Sequence, residues 1–126
     1  MSRKVFDYEQ ARALIPQVRE ITEAANARVQ ELTAEMNRTP KGTVRAQKLK
    51  EWIQTAVAHW AERIEELGAL PKGVWTVDFD SGDGFFFCWT HDEEDLAHYH
   101  LYEEGYPGRK PLTDTHKSGA SPVVLN

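Results

Sequence analysis

The chain has 126 residues, is 40% hydrophobic and 28% charged, and carries a formal net charge of −5. This composition is typical of one globular domain and excludes a disordered chain. Binding of nucleic-acid phosphates needs clustered Lys and Arg, so in a chain of net negative charge we expect no nucleic-acid partner. The longest apolar run, from Phe85 to Trp89, is far shorter than the about 20 residues that cross a membrane.

Cysteine use and the first residues suggest the compartment. Cys88 is the only cysteine, so no disulfide can form within the chain. Arg3 and Lys4 are not followed by an apolar stretch, and we therefore expect no secretory signal. Both features predict a cytoplasmic protein.

The first half of the chain has the apolar period of a helix. Asp7 and Gln10 match a capping box, and apolar residues then recur every three or four positions as far as Met36. Pro16 lies inside this pattern. Because proline removes a backbone donor, we predict a short opening turn over residues 8–14, followed by a kink or restart near Pro16.

A second helix is predicted after a loop over residues 37–43, which contains Pro40 and Gly42. Its apolar stripe runs from Leu49 to Leu67, and Gly68 is placed to end it in a left-handed conformation. Two long helices joined by a short loop pack side by side, so we expect an antiparallel helical hairpin over residues 8–68.

From Gly73 the apolar period changes to two, which is typical of strands. Three strands are predicted, over residues 74–80, 85–91 and 96–102, joined by four-residue turns into an antiparallel meander. The predicted fold is α+β and forms a single domain over residues 1–126. It comprises the hairpin, a sheet over 73–102, a loop over 103–112 and a flexible tail over 113–126, in which residues 123–125 are a candidate edge strand.

The turn lengths suggest a register for the sheet. If Asp80 faces Phe85 and His91 faces Leu96, one face is almost purely apolar, includes Cys88 and packs on the hairpin. The opposite face then carries Asp78, Asp80, Phe85, Phe87, Trp89, His98, His100 and Tyr102. A face of this kind marks a surface for a partner or ligand, unless the C-terminal segment or a second subunit covers it.

Several short stretches resemble a known family. They are FDYEQA (6–11), LIPQVR (14–19), VDF (77–79), CW (88–89), YH (99–100), EGYPGR (104–109) and PL (111–112). Over about residues 5–112 the chain resembles the prokaryotic family called domain of unknown function 2203. The resemblance implies a small bacterial protein without an assigned activity. It points to the positions that match the family's motifs, which are Asp78, Trp89, His100, Gly105 and Arg109. The family pattern has tryptophan where Tyr99 stands, and His98 is an addition.

His98 and His100 are the candidates for a metal site. They are two positions apart on a strand, so both rings point to one side, and this spacing suits zinc or a similar ion. Asp78 is expected about 9–10 Å away across the sheet, with Phe87 between, and so not to share the ion. A third ligand would come from His91, Glu103, Glu104 or His116, and no cofactor is otherwise predicted.

Arg109 follows a loop that two glycines and a proline stiffen. Its guanidinium is suited to bind a carboxylate or phosphate with two parallel hydrogen bonds. An ion pair within the chain, to Asp78, Glu103 or Glu104, is the alternative that we favour.

Two functional hypotheses follow. The preferred one is a non-catalytic interaction or assembly protein, acting as a homodimer, whose contact surface comprises Asp78, Phe87, Trp89, His98, His100 and the loop with Arg109. The alternative is a small enzyme or sensor that binds a metal or an anionic metabolite at Asp78, His98, His100 and Arg109. Enzymatic activity is not favoured, because the sequence has neither a Gly-rich phosphate loop nor a nucleophile elbow and Cys88 is expected in the core.

Overall fold

The computed structural model describes residues 4–118, and two long helices form its largest part. Helix α1 spans Tyr8–Asn37 and helix α2 spans Val44–Glu66, as the predicted hairpin requires. The capping box is confirmed: Gln10 N donates to Asp7 Oδ1 at 2.8 Å, and Asp7 N donates to Gln10 Oε1 at 3.0 Å. Gly68 follows α2 with a φ of 90°, in the left-handed conformation that was predicted.

Helix α1 runs through Pro16 without interruption, so the prediction of a separate opening turn over residues 8–14 is wrong. Proline in a helix interior costs about 3 kcal/mol, because one backbone hydrogen bond is lost. On either side of Pro16, α1 buries Ala11, Ile15 and Val18 completely or nearly so. Burial of the larger two, Ile15 and Val18, contributes about 1.5–3 kcal/mol each. This contribution offsets the cost of the proline.

The sheet has five antiparallel strands in chain order rather than three. The strands are β1 (Leu70–Pro71), β2 (Thr76–Asp80), β3 (Phe85–Thr90), β4 (His98–Leu101) and β5 (Lys110–Pro111). The three predicted strands are the central ones. The two edge strands were missed because two residues are too few to show a period.

The segment after β4 is more ordered than predicted. A 3₁₀ turn covers Tyr106–Gly108, and a short helix α3 covers Asp114–Ser118, where a flexible tail was expected. His116 in α3 is 8% exposed, and its ring lies 4.0 Å from that of Tyr99, measured between centroids. The candidate edge strand at residues 123–125 lies outside the described residues.

The predicted register of the sheet is wrong by one residue. Asp80 pairs with Phe86 rather than with Phe85, and Phe86 in turn pairs with His100. Between β2 and β3 the reason is the turn, which holds five residues instead of four, since Ser81 N donates to the carbonyl of Phe85. The predicted pairing of His91 with Leu96 is wrong as well, because the connection from β3 to β4 covers residues 91–97 and His100 pairs with Phe86 rather than with Phe87. A shift of one residue exchanges the two faces of a strand.

The shifted register places Phe85, Phe87 and Trp89 in the core between the sheet and the helices. Phe86 and Cys88 therefore lie on the other face. In the core the indole N–H of Trp60 donates to Thr22 Oγ1 at 2.9 Å, so the polar group that this large side chain brings is satisfied. No helix within residues 4–118 is long and apolar enough to span a membrane.

Candidate functional site

The sheet face turned away from the helices contains a buried cluster of three side chains that can bind metals. Asp78, Cys88 and His100 project from β2, β3 and β4 and are 1%, 0% and 3% exposed. Residues between β1 and β2 and residues of the segment that follows β4 line the pocket beside them. This pocket has a volume of about 260 Å³, and its lining also includes Lys72, Thr76, Phe86, Tyr102, Glu104 and Tyr106. We call it the Asp78 pocket.

The three side chains converge although they come from three different strands. Asp78 Oδ2 lies 3.0 Å from His100 Nε2, and one donor atom each from Asp78, Cys88 and His100 lies within 4.8 Å of the other two. The expected separation of Asp78 from His100, with Phe87 between, is therefore wrong. Cys88 pairs with Asp78 on one side and with His98 on the other, and the imidazole of His100 reaches the Asp78 carboxylate diagonally, from the next pair of residues along the strands.

The backbone carbonyl of the next residue, Leu101, holds the His100 ring in place. Its Nδ1 lies 3.0 Å from the carbonyl oxygen of Leu101, and because it faces an acceptor it carries the hydrogen. This contact directs Nε2 toward Asp78. A histidine that donates one ring N–H to a backbone carbonyl and presents the other nitrogen is the usual arrangement of a metal ligand.

One oxygen of the Asp78 carboxylate has no partner. Oδ1 is buried and accepts no hydrogen bond from any residue that the structure describes, whereas Oδ2 contacts His100. Leaving a buried polar atom unsatisfied costs about 1–3 kcal/mol, and more for a charged group. Such an atom beside a cavity therefore points to a ligand that would satisfy it.

Cys88 is not activated for nucleophilic attack. Burial, and next the negative charge of Asp78, raise the pKa of the Cys88 thiol to about 12. Its predicted position in the helical core is wrong, because the register places it on the opposite face. The expectation that it is no nucleophile agrees with its raised pKa.

Arg109 lies outside this cluster and forms an ion pair within the chain. Its Nη2 donates to both carboxylate oxygens of Glu93, at 2.6 and 2.7 Å, and to the carbonyl oxygen of Cys88 at 3.2 Å. Burial is the largest single influence and lowers the pKa of Arg109, but the hydrogen bond to Glu93 and the nearby negative charges together outweigh it, so the net pKa is raised. The pairing that we favoured therefore exists, but with an acid other than the three considered.

His98 is separated from His100. Its Nδ1 lies 3.0 Å from Glu93 Oε2, so the ring belongs to the Glu93–Arg109 network and is not part of the cluster of Asp78 with Cys88. The two histidines share a face of β4 but do not converge on one point. The predicted pairing of their rings on one ion therefore has no geometric support.

Sequence reasoning missed Cys88 and Glu93. The signal for Glu93 was its place in the acidic turn 92–95, which we interpreted only as a turn. The predicted contact surface also changes, because Phe87 and Trp89 are 1% and 0% exposed. The homodimer and the protein partner stay predictions.

Comparison with known proteins identifies a family but no function. Comparisons with curated proteins and with solved structures gave no match. The sequence model of a family described as an uncharacterized conserved protein, DUF2203, matches residues 4–112, which include the Asp78 pocket and Arg109. The resemblance noted from short motifs is thereby confirmed. The chain belongs to the DUF2203 family.

Proposed function

We propose that this protein binds a divalent transition-metal ion, zinc or an ion of similar preference, through Asp78, Cys88 and His100. The observation that carries the proposal is the buried convergence of a carboxylate, a thiol and an imidazole within 4.8 Å. These are the donor groups that zinc prefers. Two further observations support metal binding: Oδ1 of Asp78 has no hydrogen-bond partner among the described residues, and the carbonyl of Leu101 orients the His100 ring.

The cluster needs only a small contraction to bind the ion. Zinc bonds of about 2.0–2.3 Å in a tetrahedron place donor atoms about 3.3–3.6 Å apart. The largest separation within the cluster, at most 4.8 Å, must therefore shrink by about 1 Å. The imidazole and carboxylate are already at 3.0 Å, so the adjustment falls mainly on the thiol.

Three protein ligands leave a fourth position on a tetrahedral ion. The Asp78 pocket adjoins the three ligands, so this position would hold water or a small molecule. Zinc with three protein ligands and one exchangeable ligand is the arrangement of catalytic sites, whereas structural zinc is closed by four. The proposal therefore favours a metal-dependent enzyme or a sensor of a small ligand over a structural metal site.

Cobalt binding to tag-free, chelator-treated protein tests this proposal directly. Co²⁺ should bind one to one and give a sulfur-to-cobalt charge-transfer band, which Cys88→Ser abolishes. In competition with a chromophoric chelator, Asp78→Asn and His100→Gln should weaken zinc binding by at least about 10-fold, since even loss of an outer contact costs that much.

His98→Gln is the matched control, because it removes an imidazole from the same strand but from outside the cluster. It should leave the cobalt band and the zinc affinity unchanged. The proposal is wrong if the parent protein binds neither ion. It is also wrong if His98→Gln abolishes binding and His100→Gln does not.

A further inference from the structure

A second and separate cavity lies between the two long helices. It has a volume of about 480 Å³, and it shares no residue with the Asp78 pocket. Ile21 and Ala25 of α1 and Ala56 and Trp60 of α2 contribute apolar surface, and Trp52 lines the same cavity. Small-molecule sites have volumes of about 300–1,000 Å³ and mostly apolar linings. We call this cavity the interhelical groove.

The groove exists because small side chains stand where two helices meet. Ala25 and Ala56 leave space that larger residues would fill, whereas the large ring of Trp52 remains 41% exposed at the edge. An exposed tryptophan beside an apolar cavity has unburied area that a bound molecule can cover. A ligand with an apolar body is therefore favoured.

The charged residues that line the groove favour a ligand with a negative charge. Its lining contains Arg28, His59 and Arg63 and no carboxylate, although the whole chain has a formal net charge of −5. Among residues 4–118, Arg28 and Arg63 form only exposed ion pairs, with Glu31 at 3.3 Å and Glu66 at 3.8 Å respectively. Exposed pairs of this kind contribute about 0–1 kcal/mol, so the guanidiniums can exchange them for an anionic ligand.

The length of the groove favours an extended chain. At a rise of 1.5 Å per residue, the axis of α2 advances about 16 Å from Trp52 to Arg63, the reach of a medium-length acyl chain. A second copy of this protein fits less well. A twofold contact through the same patch would lay one groove on another, and the residues that line the groove include no carboxylate with which Arg28 and Arg63 of the other copy could pair.

We propose that the interhelical groove binds a fatty-acid-like amphiphile. The acyl chain would lie on Ala25, Ala56 and the two tryptophans that line the groove. The carboxylate would pair with the guanidinium of Arg28 or Arg63, whose planar fork matches a carboxylate. This proposal is independent of the metal site, since no residue is shared.

Calorimetric titration with dodecanoate, below its micelle-forming concentration, tests the proposal. We expect saturable one-to-one binding and a change in tryptophan fluorescence that is smaller in Trp52→Phe, in which Trp60 is the remaining tryptophan of the groove. Dodecyltrimethylammonium, with the same chain and the opposite charge, should bind at least about 10-fold more weakly, as expected for loss of a charge-assisted hydrogen bond.

The double variant Arg28→Ala/Arg63→Ala should lower dodecanoate affinity at least about 10-fold. Arg38→Ala/Lys48→Ala is the control, because it removes the same charge from exposed positions outside the groove and should bind like the parent. The proposal is overturned by absent or unsaturable binding, by equal affinity for the cationic amphiphile, or by equal losses in both double variants. A concentration-dependent dimer that Trp52→Ala dissociates would also overturn it, because the groove would then be a self-contact.

Discussion

Removal of one partner from the buried pair of Asp78 with His100 should strongly destabilise the metal-free protein. Their side chains are 1% and 4% exposed, with 3.0 Å between Oδ2 and Nε2. His100→Leu leaves the carboxylate of Asp78 buried without a partner, and we expect a loss of about 3–5 kcal/mol. A domain has a total stability of about 5–15 kcal/mol, so this one substitution removes a large part of it.

The double variant Asp78→Leu/His100→Leu separates stability from ligand binding. Because it removes both polar groups, it should lose less stability than either single variant does, and the two effects should deviate from additivity by at least about 3 kcal/mol. The assay is urea unfolding with a chelator present, so that no bound metal adds to the measured stability. The reasoning is refuted if each single variant costs under about 1 kcal/mol and the two add. If the double variant is stable but binds no metal, the pair is needed for metal binding rather than for folding.

Three further predictions concern the core, α1 and α3. Trp89→Ala should cost about 3–5 kcal/mol in urea unfolding, because Trp89 is 0% exposed in the core; a change below about 1 kcal/mol would contradict this burial. Pro16→Ala should raise the melting temperature, since it restores the hydrogen bond to the carbonyl of Arg12, worth up to about 3 kcal/mol; a lower melting temperature would show that the proline is needed. Burial lowers the pKa of His116 below its usual 6.5, and its Nδ1 lies 3.2 Å from the N–H of Thr113, which suits the neutral ring. The unfolded chain then binds the proton more readily, so stability is full above about pH 6.5 and falls as pH drops below it. His116→Phe should lose this part of the pH dependence, whereas an unchanged urea midpoint between about pH 7.5 and 5.5 in the parent would contradict the sign.

The helices were predictable because their signals are local. Asp7, Gln10 and Gly68 mark the ends of α1 and α2 through contacts within a few residues of the chain, and the structure has those contacts. Pro16 is the exception. A proline breaks a helix unless distant packing opposes it, and the packing of Ile15 and Val18 on the sheet is not visible in a local pattern.

The faces of the sheet depended on the two connections that flank β3, and the first of them exchanged the faces of that strand. Residues 81–84 were interpreted as the whole turn, but Ser81 also pairs with Phe85, through its backbone N–H and its hydroxyl. These two hydrogen bonds close a turn of five residues, 81–85, between the paired residues Asp80 and Phe86. The strand itself was correctly predicted, but the assignment of its side chains to the two faces was wrong. Since the period of a strand is two, that error was enough to exchange Phe87 and Trp89 with Phe86 and Cys88.

The candidate site follows from this same shift, and it could not be derived from motif spacing. His98 and His100 are close in sequence, yet they pair with different acids: His98 with Glu93, in the connection before β4, and His100 with Asp78 on β2. Spacing along a strand shows only which side chains share a face. Whether they converge depends on reach across neighbouring pairs of the sheet, since Asp78 pairs with Cys88 whereas His100 pairs with Phe86. The register also places Cys88, rather than Phe87, on the face that carries Asp78 and His100, and its thiol adds the third donor. For this reason the one-residue register decides whether this face of the sheet can hold a metal ion.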